Sequence, residues 1–254
     1  MRGPLGCACF QNHFPSPKAA PQRMKINKTA LMLSAAFFVV FAECGWVDGG
    51  VAAFDNGGER ILYDVTPVGK AEYRDFGLVD LEGAKMNLVT LRTKVLLVDD
   101  LEKIYSDPES SLPYKVERNV SGFWGKEYIT EEYNQEKGFV KIRKFKNSRQ
   151  VSERTIRRGG PMHSAILLPF YLRKRPRLSV GLQLNATVIP NEFKINLVSI
   201  DEITVPAGKF QAYHFKSRPD KFEVWINKDD PRVPLKIQFK GAFPYVLSME
   251  EYGS

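Results

Sequence analysis

From Glu59 onward, apolar and polar residues alternate in short runs, each bounded by Gly, Pro, Asn or Asp. That is the pattern of consecutive antiparallel strands joined by tight turns. Glu59 to Thr66 predicts a first strand that ends at Pro67-Val-Gly69. Lys70 to Val79 is apolar on both phases, and Lys85 to Leu97 sets Val89, Leu91, Val95 and Leu97 against Thr90, Arg92 and Lys94. The latter is the spacing of a long, half-buried strand. Asp99 to Pro113, punctuated by Asp-Pro and Leu-Pro, reads as a turn-rich interval. Tyr114 to Val120, Lys126 to Glu131 and Gly138 to Phe145 predict three further strands.

One stretch breaks this period. His163 to Leu172 is apolar on all sides and predicts a short helix limited by Pro169 and buried rather than laid on a surface. Beyond it the alternation returns at Val180 to Ile189, Phe193 to Ser199, Phe210 to Lys216, Phe222 to Asn227 and Val233 to Lys240. Roughly ten strands and one short helix imply a mainly β fold. We expect a single curved antiparallel sheet forming a half-open barrel, with the helix near its mouth. Apolar residues on both phases of several strands fit that sheet, and they fit a two-layer sandwich as well.

The first 53 residues change the picture. Lys25 and Lys28 precede an apolar run from Ala30 to Ala42, and small and polar residues follow to Val51-Ala-Ala53, the order of a secretory signal. The run is shorter than the roughly 20 residues a spanning helix needs. The expected organisation is an N-terminal extension at 1–23 ahead of the true start at Met24, a signal peptide at 24–53 and one β-rich domain at 54–254. Export to the periplasm of a Gram-negative-type envelope follows. Glu43, standing where a lipobox wants a small residue before Cys44, argues against lipoprotein anchoring. All three cysteines (Cys7, Cys9, Cys44) fall in this leader, so the domain has no disulfide to lean on.

The chain carries a net charge of +8, and residues 1–53 hold five basic and two acidic residues, so the domain stays basic at +5. Anionic partners therefore come into view. The basic residues concentrate at Lys141, Arg143, Lys144, Arg157 and Arg158 and again at Arg173 and Arg175, on either side of the apolar helix. Cations beside an apolar, aromatic element suit an acyl ligand with an anionic head, or an anionic membrane surface. Nucleic acid is excluded by the expected compartment. The candidate ligand-binding set is Ile166, Phe170, Tyr171, Arg173, Arg175, Tyr213, Trp225 and Phe239, with Phe243 a further candidate for cavity lining.

Catalytic chemistry is poorly supported. His163 and His214 are the only histidines of the domain, too few and too widely spaced for a zinc site. His163 adjoins Ser164, yet no Gly-x-Ser-x-Gly elbow is present. The acidic pairs Asp99-Asp100, Asp201-Glu202 and Asp229-Asp230 read as turn residues. We expect no catalytic residue, no metal and no cofactor.

At Glu59 to Val65, Val205-Pro-Ala-Gly-Lys-Phe210 and Trp225 to Pro234 the chain resembles the bacterial family known as domain of unknown function 3108, over about residues 57 to 253. More distantly, a strand ending in Trp, an acidic turn and a Pro is similar to the outer-membrane lipoprotein carriers LolA and LolB. The first resemblance implies an exported envelope protein. The second implies a half-open barrel that holds acyl chains under a helical lid. The expected function is a periplasmic binding or carrier protein for a hydrophobic ligand, such as a lipid or lipid-linked glycan. The alternative is an envelope interaction protein whose basic face holds an anionic polysaccharide or a membrane partner.

Overall fold

The computed structural model describes residues 58–241 and 244–253. The extension and signal peptide expected at 1–23 and 24–53, and Phe243, lie outside the described residues. Fifteen strands form one sheet in the order β8-β7-β6-β5-β4-β3-β2-β1-β15-β14-β13-β12-β11-β10-β9. β1 (Arg60–Thr66), β2 (Lys70–Leu81), β3 (Ala84–Val95), β4 (Val98–Ser106), β5 (Pro113–Gly122), β6 (Gly125–Asn134), β7 (Phe139–Lys146) and β8 (Arg149–Arg157) make an unbroken meander. After β9 (Met162–His163) and α1 (Leu168–Arg173), a second meander runs through β10 (Gln183–Val188), β11 (Asn191–Val205), β12 (Gly208–Arg218), β13 (Phe222–Asn227), β14 (Pro234–Phe239) and β15 (Tyr245–Gly253). β15 then pairs antiparallel with β1, and β9 joins β10 in the one parallel pairing.

The chain itself dictates the curvature. β8 and β9 are the two edges of the 15-stranded sheet, which laid flat would stand about 67 Å apart at about 4.8 Å per strand. Only Arg158 to Pro161 separate them in sequence, a link that spans about 17 Å at full stretch. The sheet must therefore curl until its edges approach, while the edges themselves remain unpaired in the strand order. Arg158 donates to the Pro190 carbonyl at 2.9 Å, and Gln135 bridges the Pro113 carbonyl to the backbone of Met162, each contact at 3.0 Å. These contacts hold the half-open barrel together across the gap.

The inner face carries the core. Ile61, Tyr63, Val65, Ala71, Tyr73, Val89 and Ile104 of the first half meet Ile195, Leu197, Phe215, Val224, Ile226, Ile237 and Leu247 of the second. α1 lies against this face, with Leu168, Pro169, Phe170 and Leu172 buried. Phe170 stacks on Tyr73 with ring centroids 3.9 Å apart and planes 10° from parallel. The helix thus fills the inner face beside β2, β13 and β14 as part of the core.

Two expectations need correction. Asp99 to Pro113 contains all but the first residue of β4, and Asp99-Asp100 sits inside that strand rather than in a turn. Asp201-Glu202 likewise falls within β11, whereas Asp229-Asp230 does occupy the turn between β13 and β14. Val180 to Ile189 narrows to Gln183–Val188, because Gly181 adopts a positive φ of 94° and breaks the run.

Candidate ligand-binding site

Directly opposed residues of an antiparallel pair share a face, so the register assigns each candidate residue. Tyr73, Leu91, Glu102, Arg118, Ile129 and Lys144 form one cross-strand row on the inner face. Thr93, Asp100, Val120 and Glu127 form the next row. The apolar wall of the barrel thus gives way, on β4 to β7, to charged side chains that also point inward.

These charges are paired. Arg118 Nε donates to both oxygens of Asp100 at 2.9 and 3.0 Å, its Nη2 makes a further short contact with Asp100, and Glu102 stands 3.8 Å away. Lys144 lies 2.7 Å from Glu127, and Tyr133 donates to Glu131 at 2.5 Å. Side-chain exposure is 31% for Arg118, 19% for Asp100 and 21% for Glu102, so the cluster is enclosed but still reachable by solvent. Burial pushes the Glu102 carboxyl up to about 7, against the pull of Arg118 and with the help of Glu131 and Asp100. Burial also works against the Arg118 charge, yet Asp100 and Glu102 hold its guanidinium above the ordinary range.

The opposite wall is aromatic. Phe239 stacks on Tyr245 with centroids 4.5 Å apart. Tyr245 is five strands from Arg118 in sheet order, about 24 Å on a flat sheet. In the curled sheet the two interact: burial raises the Tyr245 phenol, Arg118 opposes that rise, and Glu102 and Asp100 add to it. The inner face therefore juxtaposes an aromatic, apolar side with a hydrogen-bonding, charged one.

The sequence-predicted residues divide. Tyr213 and Phe239 lie on this inner face. Trp225 does not: it is paired with His214 and Lys236 on the outer face, stacked on the His214 ring at 4.2 Å, with the Lys236 ammonium 4.8 Å from its ring. Phe170 is spent on the Tyr73 stack, and Ile166 packs against the core. Arg173 forms a two-pronged pair with Glu59 at 2.5 and 2.6 Å and covers the Phe170 ring, while Arg175 lies over Tyr171. Arg173 and Arg175 therefore brace the helix, and the cationic mouth expected beside it does not form.

The basic surface is dispersed for a related reason. Lys144 faces inward, whereas Lys141 and Arg143 face outward, because β7 alternates. Arg143 is neutralised by Glu132 at 2.6 Å and Glu153 at 3.0 Å. Arg157 covers the Phe139 ring and Arg158 ties the barrel edges. These five residues do not make one basic face.

Two other groupings have a structural explanation. A surface depression of about 420 Å³ beside the end of α1 is lined by Glu59, Arg173, Asp230, Arg232 and Tyr252 among others. There Arg232 donates to the carbonyls of Arg173 at 3.4 Å and Arg175 at 2.9 Å, satisfying the helix C-terminus. On the outer face His214 lies between Asp201 at 2.8 Å and Glu223 at 2.6 Å. Burial alone would raise the Glu223 carboxyl, but hydrogen bonds from Lys240 and His214 outweigh it and hold it below the usual range. His163 is buried against Tyr171, and the Ser164 hydroxyl accepts the Ile166 N–H at 3.2 Å within a local turn. Among the described residues, no group of three or more His, Cys, Asp or Glu is arranged to hold a metal ion.

Asp100, Glu102 and Arg118 were not anticipated, since charges beside Asp-Pro and Leu-Pro suggested loop. The signal was there in the alternation of Asp100, Glu102 and Ile104 with Leu101, Lys103 and Tyr105.

No family model matches the chain, so the resemblance at Val205 to Phe210 and Trp225 to Pro234 stands on those residues alone. No curated protein matches it either. Among solved structures it is similar to the crystal structure of a beta-barrel-like protein of domain of unknown function DUF1849 from Brucella abortus. The TM-score is 0.49 and the identity 8%, over 77% of this chain and 96% of that one.

Proposed function

We propose that this protein is an exported binding or carrier protein that holds an amphipathic ligand on the inner face of its sheet and performs no catalysis. The observation that supports this reading is the inward-facing Asp100–Arg118–Glu102 cluster opposite the Phe239–Tyr245 pair. Stability alone would favour apolar residues there, because desolvating charges inside a fold seldom returns its cost. A ligand with an apolar body and a hydrogen-bonding head gives both walls a partner.

The charges also select the head. Asp100, Glu102 and Glu131 stand around Arg118, so acidic groups outnumber basic ones in that cluster, while Lys144, Lys146 and Arg154 share the face further along β7 and β8. With Glu102 raised to about 7, the cluster can donate from a protonated carboxyl or accept from an amine. A neutral, hydroxyl-rich or cationic head fits, as in an amino-lipid or a lipid-linked amino sugar. An anionic head would meet like charge. The basic character of the chain as a whole does not extend to this cluster.

The test is to purify the protein without detergent, extract it with organic solvent and analyse the extract by mass spectrometry. Recovery of a stoichiometric amphiphile, lost from Tyr245→Ala, is the expected result. Extracts free of lipid, together with no uptake of an acyl probe, would remove the carrier reading.

A further inference from the structure

We infer that one rim of the barrel is a docking surface for an anionic lipid bilayer, formed by the hairpin tips between β1 and β2, β3 and β4, and β5 and β6. This surface is separate from the inner face, and the inference does not rest on the ligand reading.

In a meander, alternate turns emerge at the same end of the sheet. Here those tips touch: the Gly69 Cα faces Val95 and the Lys94 carbonyl, Ser121 donates to the Asp99 carbonyl at 3.4 Å, and Asn147 N–H donates to the Lys126 carbonyl at 3.3 Å. Two neighbouring tips are two-residue turns made of bulky apolar residues. Leu96-Leu97 lies between the paired Val95 and Val98, and Phe123-Trp124 between the paired Gly122 and Gly125. Exposure reaches 46% at Leu96, 76% at Leu97 and 65% at Phe123, with Val68 at 47% on the adjoining turn.

Turn chemistry does not explain these residues. Leu96 holds a positive φ of 51°, at the position where such a turn wants Gly, Asn or Asp. The Glu82-Gly83 turn at the other end of the meander uses a glycine, and Asn147-Ser148 uses small polar residues. Val95-Leu-Leu-Val98 instead places four consecutive apolar residues at a tip, which folding would not select.

Charge indicates what covers the rim. Lys126, Lys146 and Arg149 are exposed around the Phe123-Trp124 tip: Lys146 opposes Arg149 across β7 and β8, and the Lys126 carbonyl accepts from the Asn147 N–H of the turn between them. Among the described residues their side chains make no ion pair, in contrast to Lys144 and Arg143 nearby. Apolar tips beside unpaired cations are complementary to a bilayer interface with anionic headgroups, into which a leucine or phenylalanine inserts while lysine and arginine stay at the phosphates.

The experiment uses the full chain and vesicles containing phosphatidylglycerol with brominated acyl chains. The residues before Glu59 are common to every variant, so differences between variants report the rim. The expected result is quenching of a tryptophan component that Trp124→Phe lacks. Binding should weaken at least about tenfold in Leu96→Gly/Leu97→Ser and lose its salt dependence in Lys126→Gln/Lys146→Gln/Arg149→Gln. Leu96→Gly/Leu97→Ser should melt no lower than the parent, since glycine suits the positive φ. Equal quenching in Trp124→Phe, or unchanged vesicle binding by a folded Leu96→Gly/Leu97→Ser protein, would overturn the inference.

Discussion

The Arg118 guanidinium stands 3.8 Å from the Glu102 carboxylate, and burial nonetheless pushes Glu102 up to about 7. Arg118 is already engaged by Asp100, which comes from the same strand as Glu102, so its charge is shared and Glu102 receives the smaller part. A carboxyl poised near neutrality inside a barrel is a sensor of whatever occupies it.

Glu102 gives the first prediction. An unfolded glutamate ionises near 4.5 and folded Glu102 near 7, so between those values the folded state holds the extra proton. The contribution of Glu102 is complete below 4.5, declines as pH rises to 7 and is flat above. The span is about 3 kcal/mol. Denaturant unfolding of Glu102→Gln should show the variant gaining on the parent by about that amount across the window.

His163 should tilt the curve the other way. Burial, then the nearby Arg175 charge, lowers it from 6.5 to about 4. Its contribution is complete above 6.5 and is lost as pH falls to 4, again about 3 kcal/mol. Between 4.5 and 6.5 the two slopes oppose each other. Stability of His163→Gln should therefore fall with rising pH there, while that of Glu102→Gln should climb.

The helix is held by packing. Phe170→Ala removes the Tyr73 stack and the ring under Arg173, and should cost about 3–5 kcal/mol of unfolding free energy, read from a lowered denaturant midpoint. Phe170→Leu, which keeps most of the volume, should cost less than half as much.

Face assignment makes a sharper test of the site. Trp225 is on the outer face with His214, whereas Tyr245 faces the Arg118 cluster. Acyl-probe uptake should be unchanged in Trp225→Phe and weakened about tenfold or more in Tyr245→Ala, measured by probe fluorescence.

The mainly β architecture was legible because most strands alternate cleanly, as Phe193 to Ser199 and Val233 to Lys240 do. The helix was legible in part: the apolar run from His163 to Leu172 lacks a polar face, but only Leu168–Arg173 is helical and His163 belongs to β9. What stayed hidden follows from physics as well. β8 is exposed along nearly its whole length, so Arg149 to Arg157 has no burial period to detect. β4 turns carboxylates toward the interior, which inverts the usual pattern. Whether Trp225 and Tyr213 share a face depends on pairing register, since Tyr213 opposes Ile226 and Trp225 opposes His214. The edge closure through Arg158 to Pro161 depends on strand order, which local propensity does not encode.

Headgroup selectivity tests the central claim most directly. Titrating the protein at pH 7 with a dansyl-labelled long-chain amine and with the matching dansyl-labelled fatty acid compares two heads on one tail. The acidic excess around Arg118 predicts that the amine binds at least about tenfold tighter, and that Asp100→Asn/Glu102→Gln narrows the gap. Tighter binding of the fatty acid, as the net charge of +8 would favour, or no binding of either probe, would contradict it.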